Sequence, residues 1–344
     1  MRYPPKPAPG DRVAVLSPAA GLPGVFPLPF EAGLRVLRDD FGLVPVEYPT
    51  TRVMGASPSA RAADLTAAFA DPTIKAVIAS IGGDDQITVI PHLDDEVIRA
   101  NPKPFFGSSD NTNLLAHLWS LGLVGYHGGG VMQHLGRSGG MHPLTEESLR
   151  AALFTSGSFR LRESGSFSDV DMDWADPDSF TAPPPATPSE GWVWHRPEQV
   201  VEGPSWGGDL EILSWLLAAG RDVRGVEERS DLVLFLETSE ELPSATEVFR
   251  MLRNMGERGL LARFPAILWG RPKAWSFDRP GDLAERAEYA KQQRAAVLRV
   301  LETYAPEAMV VFDVDLGHTD PQLVIPYGGT VRVDGPSRSI TVDY

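Results

Sequence analysis

The stretch Pro104-Phe-Phe-Gly107-Ser108-Ser109-Asp110-Asn111-Thr112-Asn113-Leu114-Leu115 decides how the rest of the chain is read. A short apolar run enters Gly-Ser-Ser and passes at once into a helical pattern over 111–121, which Gly122 stops. A strand that turns sharply into a helix is the repeating unit of a parallel α/β sheet. The same alternation continues toward the N-terminus. Residues 12–16, 43–46 and 74–81 read as buried strands, and 30–38 and 59–69 as helices, the second with Ser57 or Ser59 as its N-cap.

On the other side the pattern degrades over 159–206. Residues 182–188, Ala-Pro-Pro-Pro-Ala-Thr-Pro, read as a stiff connector. Alternation then resumes, with helices over 209–219, 244–255 and 282–304 and strands over 232–236, 266–269 and 309–312. The tail reads as β-hairpins with turns at Gly328-Gly329 and Asp334-Gly335. At about 150 residues per domain, 344 residues imply two domains. The expected division is an N-terminal α/β domain over 1–165, a Pro- and Trp-containing connector over 166–205 and a C-terminal domain over 206–344.

The chain has no cysteine, which removes disulfides, thiolate metal sites and cysteine nucleophiles together. Its net charge of −15 would repel phosphate backbones and anionic lipid, so neither nucleic acid nor membrane is the expected partner. The opening residues 1–11 are broken by prolines and lack the apolar core of a signal peptide, and no long apolar run occurs. A cytoplasmic protein is the expectation.

Metal and phosphate motifs fail on inspection. None of the seven histidines has HExxH spacing. A calcium loop opened by Asp169, Asp171 and Asp173 would need Gly where Trp174 stands and Glu where Phe180 stands. Gly128-Gly129-Gly130 has no following Lys-Ser/Thr. No metal and no organic cofactor is expected.

The Gly-Ser-Ser turn is different, because a strand–turn–helix junction lifts a hydroxyl beside unpaired helix N–H groups. The same Ser-Asp-Asn cluster also suits an ordinary helix N-cap. A serine nucleophile needs a base, and the base an orienting acid. Glu237 ends an apolar strand and His318 sits in a turn, so both are candidates.

Together these segments resemble the LD-carboxypeptidase and microcin C immunity family of serine peptidases over nearly the full length. The marks are Gly10-Asp11, Ser17-Pro18, Ser80-Ile-Gly82-Gly83, Gly107-Ser108-Ser109-Asp110, Trp206-Gly207-Gly208-Asp209-Leu210, Leu234-Phe-Leu-Glu237 and Gly317-His318. Ser80-Ile-Gly82-Gly83 and the tryptophans Trp174, Trp192 and Trp194 are similar to the microcin-immunity branch.

The resemblance implies an α/β fold. It pairs an N-terminal domain similar to class I glutamine amidotransferases with a swivelling C-terminal ββα domain, and a homodimer. It implies Ser109 as nucleophile, His318 as base and Glu237 as acid, with oxyanion donors at Asp110 and at Gly82 or Gly83. It implies hydrolysis of an amide in a small peptidyl- or aminoacyl-nucleotide, with murein tetrapeptide trimming or a silent binding protein as alternatives. Trp174 is expected to stack on a base or to pack between domains. Asp209 stands where the family usually has Asn, and Glu241 where some members carry a basic residue. Acidic acyl groups are therefore expected to be disfavoured.

Overall fold

The computed structural model describes residues 1–344, apart from the side chain of Arg224. Five strands, β1 (Arg12–Leu16), β2 (Val44–Glu47), β3 (Ile74–Ala79), β4 (Phe105–Gly107) and β5 (Gly125–His127), run parallel in the order β2-β1-β3-β4-β5. The helices between them are α1 (Pro27–Asp39), α2 (Pro58–Ala70), α3 (Asp95–Ala100) and α4 (Thr112–Ser120). Ser57 caps α2, accepting a hydrogen bond from Ala60 N. The inner strands are buried on both faces, which is why Val13–Leu16 and Ala76–Ala79 are continuous apolar runs. In such sheets the ligand crevice lies beyond the carboxyl ends of the strands. Ser17, Ser80 and Ser109 all follow strand ends there.

After α5 (Pro143–Phe154) the chain builds a mixed sheet. Its strands are β6 (Ser158–Arg160), β9 (Val193–His195), β10 (Val200–Asp209), β11 (Val233–Glu237), β12 (Ala266–Gly270), β13 (Met309–Val314), β15 (Thr330–Asp334) and β16 (Ser339–Asp343). A small ribbon of β7 (Ser166–Phe167) and β8 (Thr187–Pro188) stands apart. Strands β10 to β13 are parallel, crossed by α6 (Leu210–Ala219), α8 (Ala245–Glu257) and α9 (Leu283–Tyr304). Capping boxes at Ser244 and Asp282 start α8 and α9.

Two readings of the sequence change here. The segment expected as a connector supplies β9 and the start of β10, so the boundary at 205/206 falls inside one continuous strand. The hairpin expected at Gly328-Gly329 does not form. Strand β14 (Ile325–Tyr327) crosses to pair antiparallel with β5 in the first sheet, whereas β15 pairs with β10 and β16. The hairpin at Asp334-Gly335 does form. No helix among the described residues is long and apolar enough to cross a membrane.

Candidate active site

Ser109 follows β4 and opens the short turn into α4. Its φ of 58° lies in the left-handed region, which costs a non-glycine residue on the order of 1–2 kcal/mol. The turn is held in that strained form by its neighbours. Asn111 Nδ2 donates to Ile81 O and Ser108 O, each at 3.0 Å. Asp110 Oδ2 accepts from Gln86 N at 2.9 Å, and Asp110 Oδ1 accepts from Asn113 Nδ2 at 2.7 Å. Burial, opposed by the Gln86 N–H, pushes the Asp110 carboxyl up to about 6.

Gln86 is a participant that the sequence reading missed. Fully buried, it donates Nε2–H to Asn111 Oδ1 at 2.8 Å and accepts from Leu114 N at 2.9 Å. It thus ties the glycine loop to the first turn of α4. Gly82 lies against the serine: a Cβ there would stand 2.9 Å from Ser109 Oγ and 2.7 Å from its Cβ. Gly83 instead packs against Ala19 and Ala20.

The second sheet brings the remaining groups. Gly208, at φ 114°, lets β10 approach α4 so closely that a Cβ would lie 2.6 Å from Thr112 Oγ1. Asp209 N donates to that same hydroxyl at 3.2 Å. Asp209 and Glu237 are register partners on β10 and β11. His318, in the turn after β13, donates Nδ1–H to Glu237 Oε2 at 2.6 Å. On Glu237, burial alone would raise the pKa, but His318 and His127 reverse it to a net lowering. On His318, burial lowers the pKa, and Glu237 with Glu240 turns the balance to a net rise.

Asp209 also acts on His318, and Glu211 acts on Asp209. Glu211 is steadied by Ser239, whose N–H and Oγ–H both reach Oε1, at 3.0 and 2.7 Å. Asp209 caps α6, accepting from Ile212 N at 3.0 Å. Burial first, then Glu211 and Glu237, push Asp209 well above the ordinary carboxylate range. That favours its protonated form, which offers a hydroxyl donor and a carbonyl acceptor. Asp209, Glu237 and His318 each put one ligand-type atom within 4.8 Å of the others. Within the group, His318 Nδ1 and Glu237 Oε2 are hydrogen-bonded.

Glu241 lies exposed in the turn after β11, and the ion pair with His318 is made by its neighbour. Glu240, one residue earlier, lies 3.1 Å from His318 Nε2 through Oε2. Trp174 is half-buried with its ring edge-on to Phe26, centroids 6.0 Å apart. The neighbouring Asp169 and Asp171, which mimic a calcium loop in sequence, pair with Arg286 and Lys273 at 2.5 and 2.7 Å.

Sequence profiles of the LD-carboxypeptidase N-terminal and C-terminal domains match residues 13–128 and 202–333. The chain belongs to the LD-carboxypeptidase family. A candidate carboxypeptidase of Streptomyces coelicolor is 29% identical over 98% of this chain and 94% of its own. The microcin C7 self-immunity protein MccF of Escherichia coli is 25% identical over 82% of this chain and 77% of its own. The solved structure of MccF with aspartyl sulfamoyl adenosine superposes with a TM-score of 0.84 at 23% identity, covering 100% of this chain and 99% of that one. The two-domain mixed α/β fold is thus shared with MccF.

Proposed function

We propose that this peptidase is a serine hydrolase that cleaves an amide bond in a small peptidyl- or aminoacyl-nucleotide. The observation that carries the reading is Ser109, held at φ 58° between Gly82 and the start of α4, in a chain that also pairs His318 Nδ1 with Glu237 Oε2 at 2.6 Å. Strained, buried backbone that lifts a hydroxyl out of a strand–helix turn suits a nucleophile rather than a helix cap.

Ser109 Oγ attacks the amide carbonyl while His318 Nε2 takes its proton. The N–H groups of Asp110 and Gly82 receive the oxyanion, and His318 returns the proton to the leaving amine. Water, deprotonated by the same nitrogen, then hydrolyses the ester. Glu237 fixes the tautomer and stabilises the imidazolium. Because Glu240 faces Nε2 and is largely exposed, its departure to solvent precedes proton transfer.

Support for a nucleotide-bearing substrate is the fold shared with MccF, whose structures hold aminoacyl sulfamoyl nucleosides. A second reading, trimming of murein tetrapeptides, is favoured by the LD-carboxypeptidase family itself. The cytoplasmic setting and the homodimer implied by the resemblance belong to the same proposal.

Mass-spectrometric assay of purified protein on aminoacyl-sulfamoyl-adenosines and a murein tetrapeptide tests it. The expected result is cleavage of the nucleotide series, with neutral and basic acyl side chains ahead of aspartyl and glutamyl. A carboxylate about 4 Å from Glu240 is repelled by roughly 1 kcal/mol in water, which is about fivefold in rate. Cleavage of the tetrapeptide alone would move the assignment to murein. No cleavage of any amide would leave a binding protein.

A further inference from the structure

His127 is fully buried at the end of β5, and neither ring nitrogen has a hydrogen-bond partner. Its Nε2 points at Glu237 Oε1 from 3.6 Å, and that carboxylate oxygen is also unpartnered. Buried polar atoms of this kind are rare in folded proteins because each forfeits its hydration. Here two such atoms, a donor and an acceptor, face each other across the junction of the two sheets. The His127 ring is held edge-on to Phe235 of β11, centroids 5.3 Å apart, so its direction is set by packing.

We propose that His127 is a positioning residue for the catalytic acid, donating Nε2–H to Glu237 Oε1 as the two domains close on substrate. This rests on the serine-hydrolase reading above. Glu237 would then be gripped from both domains: Oε2 by His318 of the second, Oε1 by His127 of the first. The 3.6 Å gap is too long for a hydrogen bond, and a shift of less than 1 Å would make it one. Alignment of the acid thereby depends on domain closure, and an open enzyme holds its triad incompletely.

The charged and titratable groups around Glu237 are few. His318 faces it from the turn after β13, Asp209 from the end of β10, Glu211 from α6 and His127 from β5. Glu240 acts on it through His318, and His134, held neutral chiefly by burial, lies behind His127. Among the described residues no arginine or lysine pairs with Glu237 within 4.0 Å; its ionic partners are His127 and His318.

Loss of that donor leaves Oε1 bare, concentrates charge on the carboxylate and tightens its hold on the His318 proton. The base then becomes neutral only at higher pH. For His127→Phe we expect kcat to fall roughly ten- to a hundredfold. KM should stay within about twofold, and the acidic limb of kcat/KM should move to higher pH. His127→Gln, whose amide can reach Oε1, should recover most of the rate and return the limb.

Unfolding temperatures are measured beside the kinetics, and His127→Leu serves if the phenylalanine does not fit. An unchanged pH profile in the apolar variant, or a glutamine variant as impaired as the apolar one, overturns the proposal and leaves His127 a packing residue. Ser109→Ala runs in the same assay. If it is inactive while the apolar variant behaves as wild type, only the His127 proposal falls. If it retains activity, the serine reading falls and takes the proposal with it.

Discussion

At the scale of single residues, His318 lies between two carboxylates, Glu237 on Nδ1 at 2.6 Å and Glu240 near Nε2 at 3.1 Å. They raise its pKa although burial alone would lower it. A general base must be neutral, so a raised pKa means that activity is lost as pH falls through that raised value. The rate should therefore keep rising with pH above about 6.5, the ordinary histidine value. Glu240→Gln should move this limb to lower pH and increase kcat/KM near neutrality. A pH–rate profile of the two proteins decides it, and superimposable limbs would mean that Glu240 does not act on the base.

The sequence alone marked Glu237 and His318 through the strand end and the Gly-His turn. It could not say which of two adjacent glutamates pairs with His318, because that depends on how the chain leaves β11. Nor could it single out Gln86 or His127. Each gains its meaning from partners 24 to 110 positions away in the chain, such as Asp110 and Glu237.

At the scale of elements, the strand–turn–helix at 104–115 was legible because an apolar run, a tight turn and a helix start are all local signals. The parallel strands and the long helix α9 were legible for the same reason. The fate of β14 was not. A three-residue strand carries no periodicity that names its sheet, and Gly328-Gly329 looks like a hairpin turn whether or not one forms. The Pro-rich segment was misleading in the same way: its C-terminal part, β9 and the start of β10, joins the second sheet through long-range pairing that composition does not encode.

That segment is docked by Asp169 and Asp171 on Arg286 and Lys273, by Trp192 Nε1 on Asp315 and by Trp174 on Phe26. Edge-to-face aromatic pairs are worth about 0.5–1.5 kcal/mol beyond the area they bury. Trp174→Ala should accordingly lower the unfolding temperature by several degrees and raise KM equally for peptide and nucleotide-bearing substrates. A rise confined to the nucleotide series, with stability intact, would show that Trp174 stacks on the base instead.

At the scale of the molecule, the proposed mechanism requires the two domains to meet, since Ser109 comes from one and Glu237 and His318 from the other. One ionic contact between them is pH-sensitive. His117 near the end of α4 faces Asp95 of α3 at 2.8 Å and Asp222 of the second domain at 3.4 Å. Burial would lower the His117 pKa, but the two aspartates raise it overall. A raised folded pKa contributes stability that is fully present below about 6.5 and lost as pH rises through the raised value. His117→Asn should thus lower the unfolding temperature more at pH 6 than at pH 9. An equal loss at both would assign the residue to packing alone.

The central claim is that Ser109 is the nucleophile, and covalent labelling tests it most directly. Intact-protein and peptide mass spectrometry after reaction with a fluorophosphonate should find one adduct, on Ser109. Labelling should be abolished in Ser109→Ala and much slowed in His318→Ala, with amide hydrolysis lowered by roughly four orders of magnitude in Ser109→Ala. Absence of an adduct, or a Ser109→Ala protein that still hydrolyses within tenfold of wild type, would contradict the account.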